Sequence, residues 1–391
     1  MKNISEIKNC YGCGVCATIC PKKIIQLGLN KHGFYEPHIL DAKQCINCSL
    51  CINVCSYINN GLSLSNDKML AYAAWSKDKD IRKKCSSGGI GFEIARKLIQ
   101  QGYKVCGVKY NNNKERAEHY IATTIDELIP SIGSKYIQSY TTEGFKAINK
   151  KDKYLITGTP CQIDSFRRYI KKLKIEDNFV LLDFFCHGVP SMFLWKKYLN
   201  HVKIKTGNIK QVSWRNKFTG WHDSWAMSIE GEKQKFISKL SQGDIFYQIF
   251  LSDSCLGDAC YQKCKFKYNK SSADIRIGDL WGQTYSKNEE GVSGVIILTQ
   301  KGEDIIKSCN CELEKSSLEI VSEIQMKQSP QRPLYHKLMM YVLESKSLDI
   351  SYAYFIIRCQ KTYKKYKRRL KHPITSIKKL FKGPKHKNNG N

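Results

Sequence analysis

No stretch of this sequence is long and apolar enough to cross a bilayer. The greasiest run, "FVLLDFFCHGVPSMFLW" at 179–195, is broken by Asp183 and His187 and falls short of the roughly 20 residues a spanning helix needs. The opening, "MKNISEIKNCYGC", lacks the apolar core of a secretory leader, so the expectation is a cytoplasmic protein. The glycine fingerprint of dinucleotide binding, G-x-G-x-x-G, is missing. So is the C-x3-C-x2-C run of radical chemistry, because after Cys260 and Cys264 position 267 is lysine. Acidic residues are few, 35 against 64 Lys and Arg, but the shortage is uneven. From Lys361 to Lys387 there are twelve Lys or Arg and no acid, so the net charge of +29 describes the end of the chain more than its body. Charge alone admits nucleic acid as a partner; no recognisable binding motif accompanies it, and nucleic acid is not expected.

What is abundant is cysteine. A chain of 391 residues with 42% hydrophobic and 11% aromatic side chains is globular and long enough for two or three domains. Eighteen thiols in a reducing compartment point to metal ligation or catalysis rather than disulfides. Four of them open the chain, in "CYGCGVCATICP": Cys10, Cys13, Cys16 and Cys20. The spacing repeats 35 residues later in "CINCSLCINVCS", with Cys45, Cys48, Cys51 and Cys55. Three cysteines at steps of three wrap one cube of iron and sulfide, and the fourth points away to complete the other, as in two-cluster bacterial ferredoxins. The expected sets are Cys10, Cys13, Cys16 and Cys55 for one 4Fe-4S cluster and Cys45, Cys48, Cys51 and Cys20 for the other. Zinc prefers two well-separated C-x2-C pairs and suits this run poorly. Ser56 stands where the second copy would usually carry proline, which alters a turn and removes no ligand. The connector "IIQLGLNKHGFYEPHI" reads as a hairpin.

A soft linker, "NNGLSLSND" (59–67), separates this unit from the rest. "AYAAWS" reads as a strand. "CSSGGIGFEIARKLIQQGYKVCGVKY" reads as loop, helix, turn and strand, with Ser86 and Ser87 as caps, Gly88 and Gly89 for close backbone approach, and Ile90, Ile94, Leu98 and Ile99 at helical spacing. Such a helix start cradles phosphate; a plain capped helix is the alternative. In "IGSKYIQS", Lys135, Gln138 and Ser139 flank Tyr136, which suits a nucleotide site or an ordinary loop. "YLITGTPCQIDSFRRYIKKL" puts Pro160 in a first helical turn and Cys161 at the helix N-terminus, where dipole and amides favour a thiolate. Cys161 is then an iron ligand or a reactive thiol, against a small buried residue. "FVLLDFFCHGVPS" is a strand of a parallel sheet buried on both faces, with Cys186, His187 and Gly188 just past its end, where such sheets place their sites. His187 is the candidate for proton transfer or for a bond to a cofactor ring. "VSWRNKFTGWHDSWAMSIEG" alternates like a hairpin over 213–230 and offers Trp214, Arg215, Lys217 and Trp221 to a planar anion, or merely packs on the sheet. "ADIRIGDLWG" is a strand with Asp279 at its end.

The pieces "SSGG", "GSKYIQS", "TGTPCQ", "DFFCHGVPS", the cysteine pair before "FK" and "ADIRIGDLWG" occur in that order behind the cysteine repeat. Together they resemble the beta subunit family of coenzyme F420 hydrogenases and dehydrogenases, over residues 1 to about 310. The resemblance implies an FAD near Ser86, Ser87, Gly88 and Gly89, near Lys135, Tyr136, Gln138 and Ser139, and near Gly158, Thr159 and Pro160. It also implies a third 4Fe-4S cluster on Cys161, Cys186, Cys260 and Cys264, with Cys255 as substitute. The Cys260–Cys264 spacing is one residue longer than the pair expected in many relatives. His187 and Cys161 are the catalytic candidates, and Lys135 and Arg215 could stabilise a reduced flavin.

The implied fold class is α+β. It comprises a two-cluster domain (1–64), a flavin-binding part (65–150), a further part with the third iron–sulfur site (151–330) and a helical, basic tail (331–391). The implied function is an iron–sulfur flavoprotein oxidoreductase acting on an organic substrate, which is a deazaflavin-type coenzyme or a sugar- or lipid-linked intermediate of surface polysaccharide biosynthesis. The alternative is a non-catalytic electron-transfer subunit feeding a partner enzyme. Expected partners are a ferredoxin-like protein or a dehydrogenase subunit; a homo-oligomer stays open. The tail is read as a peripheral contact with the inner face of a membrane or as a solvated terminus.

Overall fold

The structure is a computed structural model that describes residues 3–63, 69–261 and 264–371, with side chains to 367. The 64/65 boundary, part of the expected linker and the tail beyond 371 lie outside the described residues.

The cysteine repeat builds the N-terminal unit. Each copy ends in one helical turn, α1 (Val15–Ile19) and α2 (Leu50–Asn53), entered through a left-handed residue, Gly14 at φ 75° and Ser49 at φ 56°. The connector is the expected hairpin, β1 (Ile25–Leu29) against β2 (Tyr35–Ile39). A Cβ on Gly14 would meet Thr141 Oγ1 at 2.1 Å, so glycine lets this unit close on the body.

The body is mixed α/β. Its chain runs β3 (Leu70–Ser76), α3 (Lys79–Lys84), α4 (Ile90–Gln100), β4 (Lys104–Asn111), β5 (Arg116–Ala122), α5 (Ile125–Leu128), α6 (Thr142–Lys146), β6 (Tyr154–Thr157), α7 (Pro160–Leu173), β7 (Phe179–Phe184) and α8 (Met192–Thr206). It continues through β8 (Ile209–Ser213), β9 (Ala226–Gly231), β10 (Lys235–Lys239), α9 (Ile245–Phe250), α10 (Asp258–Tyr261), β11 (Ile275–Asp279), β12 (Ser293–Ile297), α11 (Gln300–Lys307), β13 (Cys311–Ser316) and α12 (Leu318–Val321). Two helices close it, α13 (His336–Glu344) and α14 (Ile350–Lys371).

Eight strands form one sheet in the order β13-β3-β12-β11-β7-β6-β4-β5. Neighbours β4, β6, β7 and β11 are parallel. Because β12 runs against both β11 and β3, the C-terminal ends of β3, β6, β7 and β11 open on one edge. The central strands are apolar on both sides because both sides are covered. Ile156, Phe179 and Leu181 pack against Ile163, Phe166 and Ile170 of α7, and against Val15 and Val54 of the N-terminal unit. Leu155, Val180 and Leu182 pack against Ile90, Ile94 and Leu98 of α4. A further core joins α8, α9, α13 and α14 around Trp195, Trp214 and Phe246.

Two expectations change. The 213–230 stretch is not a tight hairpin: β8 and β9 pair, but residues 214–225 make a long excursion that buries Trp214 and Trp221. The cap of α4 is Gly89 at φ 88°, with no side-chain bond, not Ser86 or Ser87.

Asp183, the charge that interrupts the apolar run, is fully buried and paired with Arg276. The guanidinium donates through Nε and Nη2, each at 2.7 Å, to the two carboxylate oxygens. The pair sits at one register position of β7 and β11. Replacing Arg276 by Met strands the carboxylate in the core; the expected loss is about 3–5 kcal/mol. Denaturant unfolding should show most of that loss recovered in the Asp183→Leu/Arg276→Met double variant.

His119 gives the fold a pH dependence. It is buried, its Nε2 lies 3.0 Å from the Thr157 carbonyl, and burial pushes its pKa down to about 4. The unfolded chain takes up the proton near pH 6.5, the folded one only near 4. Stability is therefore full above 6.5 and is lost as pH falls toward 4, by about 3 kcal/mol from this group. Melting curves across that window should be shallower in pH for His119→Gln; an equally steep decline in the variant contradicts the assignment.

Candidate redox site

The repeat exchanges its fourth cysteines. Cys55 of the second copy lies among Cys10, Cys13 and Cys16, close enough to act on the charge of each. Cys20 of the first copy lines one hollow with Cys45, Cys48 and Cys51, walled by Ile24, Ile25, Ile39 and Leu50. Burial pushes the thiols of Cys10 and Cys16 up, and that of Cys13 up to about 11. Metal binding takes the protons from such thiols, and four cysteines brought together from this spacing fit an iron–sulfur cube. No three His, Cys, Asp or Glu side chains among the described residues approach closely enough for a single metal ion. The ligands of a cube stand further apart, since its own iron and sulfide lie between them.

A second gathering of thiols lies at the sheet edge. Cys161 opens α7 just past β6, and Cys186 follows β7. Cys260 sits in α10, and Cys264 in the loop after it. Cys161 is influenced by Cys186 and Cys260; Cys264 acts on both Cys186 and Cys260. Cys255 faces elsewhere: it is fully buried in the aromatic core of α8 and α9, and none of these thiols acts on its charge. The helix start does not make Cys161 a ready thiolate. Burial outweighs it and pushes the thiol well up, although Thr159 Oγ1 lies 3.2 Å from Sγ.

Residues that sequence reasoning passed over hold this group. Arg276, spent on Asp183 at one end, donates from Nη1 to the carbonyls of Phe266 and Tyr268. Lys267 donates to the carbonyls of Cys186 and His187, at 2.6 and 2.9 Å. Lys265 donates to the carbonyls of Ser56, Tyr57 and Asn59. The loop carrying Cys264 is thus tied to β7 and to the N-terminal unit. His187 pairs with Asp253, Nε2 to Oδ1 at 2.7 Å, beside the Phe250 ring.

The two thiol groups touch through Ser56 and Ser165. Ser165 Oγ lies 3.2 Å from Cys13 Sγ and donates to Ser56 Oγ at 2.8 Å. Ser56 donates its N–H to Ser165 Oγ and its hydroxyl to the Cys161 carbonyl. Proline at 56 could supply neither bond, which explains the departure from the repeat.

The three segments expected around a flavin meet on the same edge. Ser134 N donates to Ser86 Oγ at 2.9 Å, and Gln162 Nε2 to Ser139 Oγ at 3.0 Å, so 132–139 bridges the loop at 86 to the helix start at 159. Several of the expected contacts are spent inside the protein. Gln138 accepts from Tyr35 N and donates to the Tyr11 carbonyl, so it seals the N-terminal unit to the body. Lys135 donates to the carbonyls of Pro130, Ser131, Ile132 and Gly133, and burial pushes its pKa down to about 7. Thr159 and Gln162 cap α7 reciprocally. Gly88 is held against β3 and β12, where a Cβ would meet the Ala74 carbonyl oxygen at 2.4 Å.

Other groups lie beside the same loops. The first turn of α4 has no side-chain cap. Phe184 is 41% exposed at the end of an otherwise buried strand. Arg215 is buried between the Trp225 and Trp281 rings and donates to Tyr136 Oη, Asp279 Oδ2, Ser224 Oγ and the Ser86 carbonyl. Trp221 stacks on Trp281 at 4.6 Å, and its indole N–H, like Asp279 Oδ1, is buried without a hydrogen-bond partner among the described residues. The aromatic rings and the uncapped helix start fit a planar ring with an anionic tail, while Asp279 Oδ1 could only accept from a donor on that ring.

Ser165 supplies a test. Hydrogen bonds to ligand sulfurs raise a cluster's potential. Cys13 has no proton to give Ser165 once it ligates iron, so the Ser165 hydroxyl that donates to Ser56 is then expected to turn to the sulfur. Ser165→Ala should then lower the midpoint of one N-terminal cluster in a potentiometric EPR titration and leave the other unmoved; two unchanged midpoints deny it the role.

Three family descriptions match the chain. Residues 9–59 match a 4Fe-4S dicluster domain. Residues 71–146 match the N-terminal region of the coenzyme F420 hydrogenase/dehydrogenase beta subunit, and residues 151–321 its C-terminal region. No curated protein matches. Among solved structures, a chain of the F420-reducing [NiFe] hydrogenase complex from Methanosarcina barkeri, in a xenon-derivatised form, is 18% identical, with 75% of this chain and 92% of that one covered and a TM-score of 0.44. With a dicluster domain ahead of both regions, this chain belongs to the coenzyme F420 hydrogenase/dehydrogenase beta subunit family.

Proposed function

We propose that the chain is an iron–sulfur flavoprotein oxidoreductase that passes electrons between its N-terminal clusters, a third cluster at the sheet edge and an FAD, and on to an organic substrate or a deazaflavin-type coenzyme. The observation that carries this reading is the contact between the two thiol groups through Ser56 and Ser165. Cubes supply single-electron steps and a flavin joins these to two-electron chemistry. The chain's own residues supply position and field. Lys265, Lys267 and Arg276 fix the loops that bring the cysteines together. Arg215 and Lys217 place positive charge behind Ser86 and Ser87, where it favours an anionic ring or pyrophosphate. The His187–Asp253 pair holds an imidazole one residue from Cys186, placed to move a proton at Nδ1.

The family description, a beta subunit, favours a second reading: an electron-transfer subunit that feeds a partner enzyme. A sugar- or lipid-linked substrate remains the finer proposal for the first.

Anaerobic purification with iron, zinc and flavin counts separates the readings. The expected result is three cubes' worth of iron and one FAD per chain. Iron without flavin supports the relay; zinc or a colourless protein overturns both. Cys264→Ser should lose one cube's iron while Cys255→Ser keeps all of it; the opposite result would reassign the ligand.

A further inference from the structure

Helix α14 outruns the body that it packs against. Ile350, Ala353, Ile356 and Ile357 are buried in the core shared with α8, α9 and α13. From Lys361 to Lys367 every side chain is exposed. The outward face is not the polar one expected of a free helix. Tyr352, Phe355, Cys359, Tyr363 and Tyr366 recur at steps of three and four, which at 100° per residue confines them to an arc of about 80°. All five are exposed, the four aromatic rings by 52–65%.

Cations flank this stripe: Lys367 on one side, Arg358 and Lys365 on the other. Over residues 350–371 there are eight Lys or Arg and no Asp or Glu. Lys367 Nζ lies 5.9 Å from the Tyr363 ring centre, and Lys361 bonds to Gln248 of α9.

Exposed aromatics between rows of cations are the composition of a helix lying in a membrane interface. The helix is not long and apolar enough to cross. Two copies packed through this face would bring like charges together, and nucleic acid would leave the narrow aromatic stripe without a role. We propose that the outer face of α14 docks the protein peripherally on an anionic phospholipid surface, with the rings at headgroup depth and the lysines on phosphate.

Vesicle flotation of the full-length, cluster-loaded protein tests this. Binding is expected to phosphatidylglycerol–phosphatidylcholine vesicles, with little to phosphatidylcholine alone and release at high salt. Neutralising Lys364, Lys365 or Lys367 to Gln should each lower the partition coefficient about fivefold. The Phe355→Ser/Tyr363→Ser/Tyr366→Ser variant keeps the charge and the buried face, so its iron content should be unchanged while binding is lost. Absent flotation overturns the proposal. So does equal flotation of the aromatic variant, which would mean adhesion by charge alone. So too does a wild-type dimer that the aromatic variant converts to monomer without any vesicle binding.

Discussion

The buried pair of Asp183 and Arg276 is the constraint around which the site is arranged. A carboxylate at the centre of a parallel sheet is tolerated because a guanidinium meets both of its oxygens and the Ser271 hydroxyl donates to one of them. That guanidinium has donors left over, and they take the carbonyls of Phe266 and Tyr268. The strand that leads to Cys186 and the loop that carries Cys264 are thereby held by one side chain. Lys267 reinforces the same tie from the other side. The electrostatic cost of a buried charge becomes a means of setting distances between thiols far apart in sequence.

The N-terminal unit is not a tethered accessory. Gln138, Thr141, Ser165 and Lys265 all reach into it from the body, and the Tyr11 ring packs edge-on against Phe266. Gly12 and Gly14 leave no space where Gln138 and Thr141 approach. Such a junction has little freedom to slide, which is what electron transfer between fixed carriers requires.

Much of this was legible in the linear chain, wherever the signal was local. The cysteine repeat fixed its own cross-partnered sets, because a 35-residue duplication with a fixed internal spacing leaves few alternatives. The apolar run at 179–184 read as a central strand, and Pro160 marked a helix start that the structure keeps. Local signals misled where a tertiary neighbour intervened. Ser86 and Ser87 looked like caps, but their hydroxyls are engaged by Ser134 and the Val292 carbonyl. Cys161 stands at the helix start that the sequence marked, but burial among its neighbours pushes its thiol up rather than down.

The order of cysteines, turns and apolar runs thus determined which elements form and which thiols of the repeat belong together, since those depend on spacing along the chain. Which of Cys255, Cys260 and Cys264 joins Cys161 and Cys186, why Ser56 replaces a proline, and where Gln138 spends its amide were decided only by the folded chain. Each depends on contacts between residues tens to hundreds of positions apart. No local pattern encodes such contacts; they exist only once the sheet and its buried ion pair bring the segments to one edge.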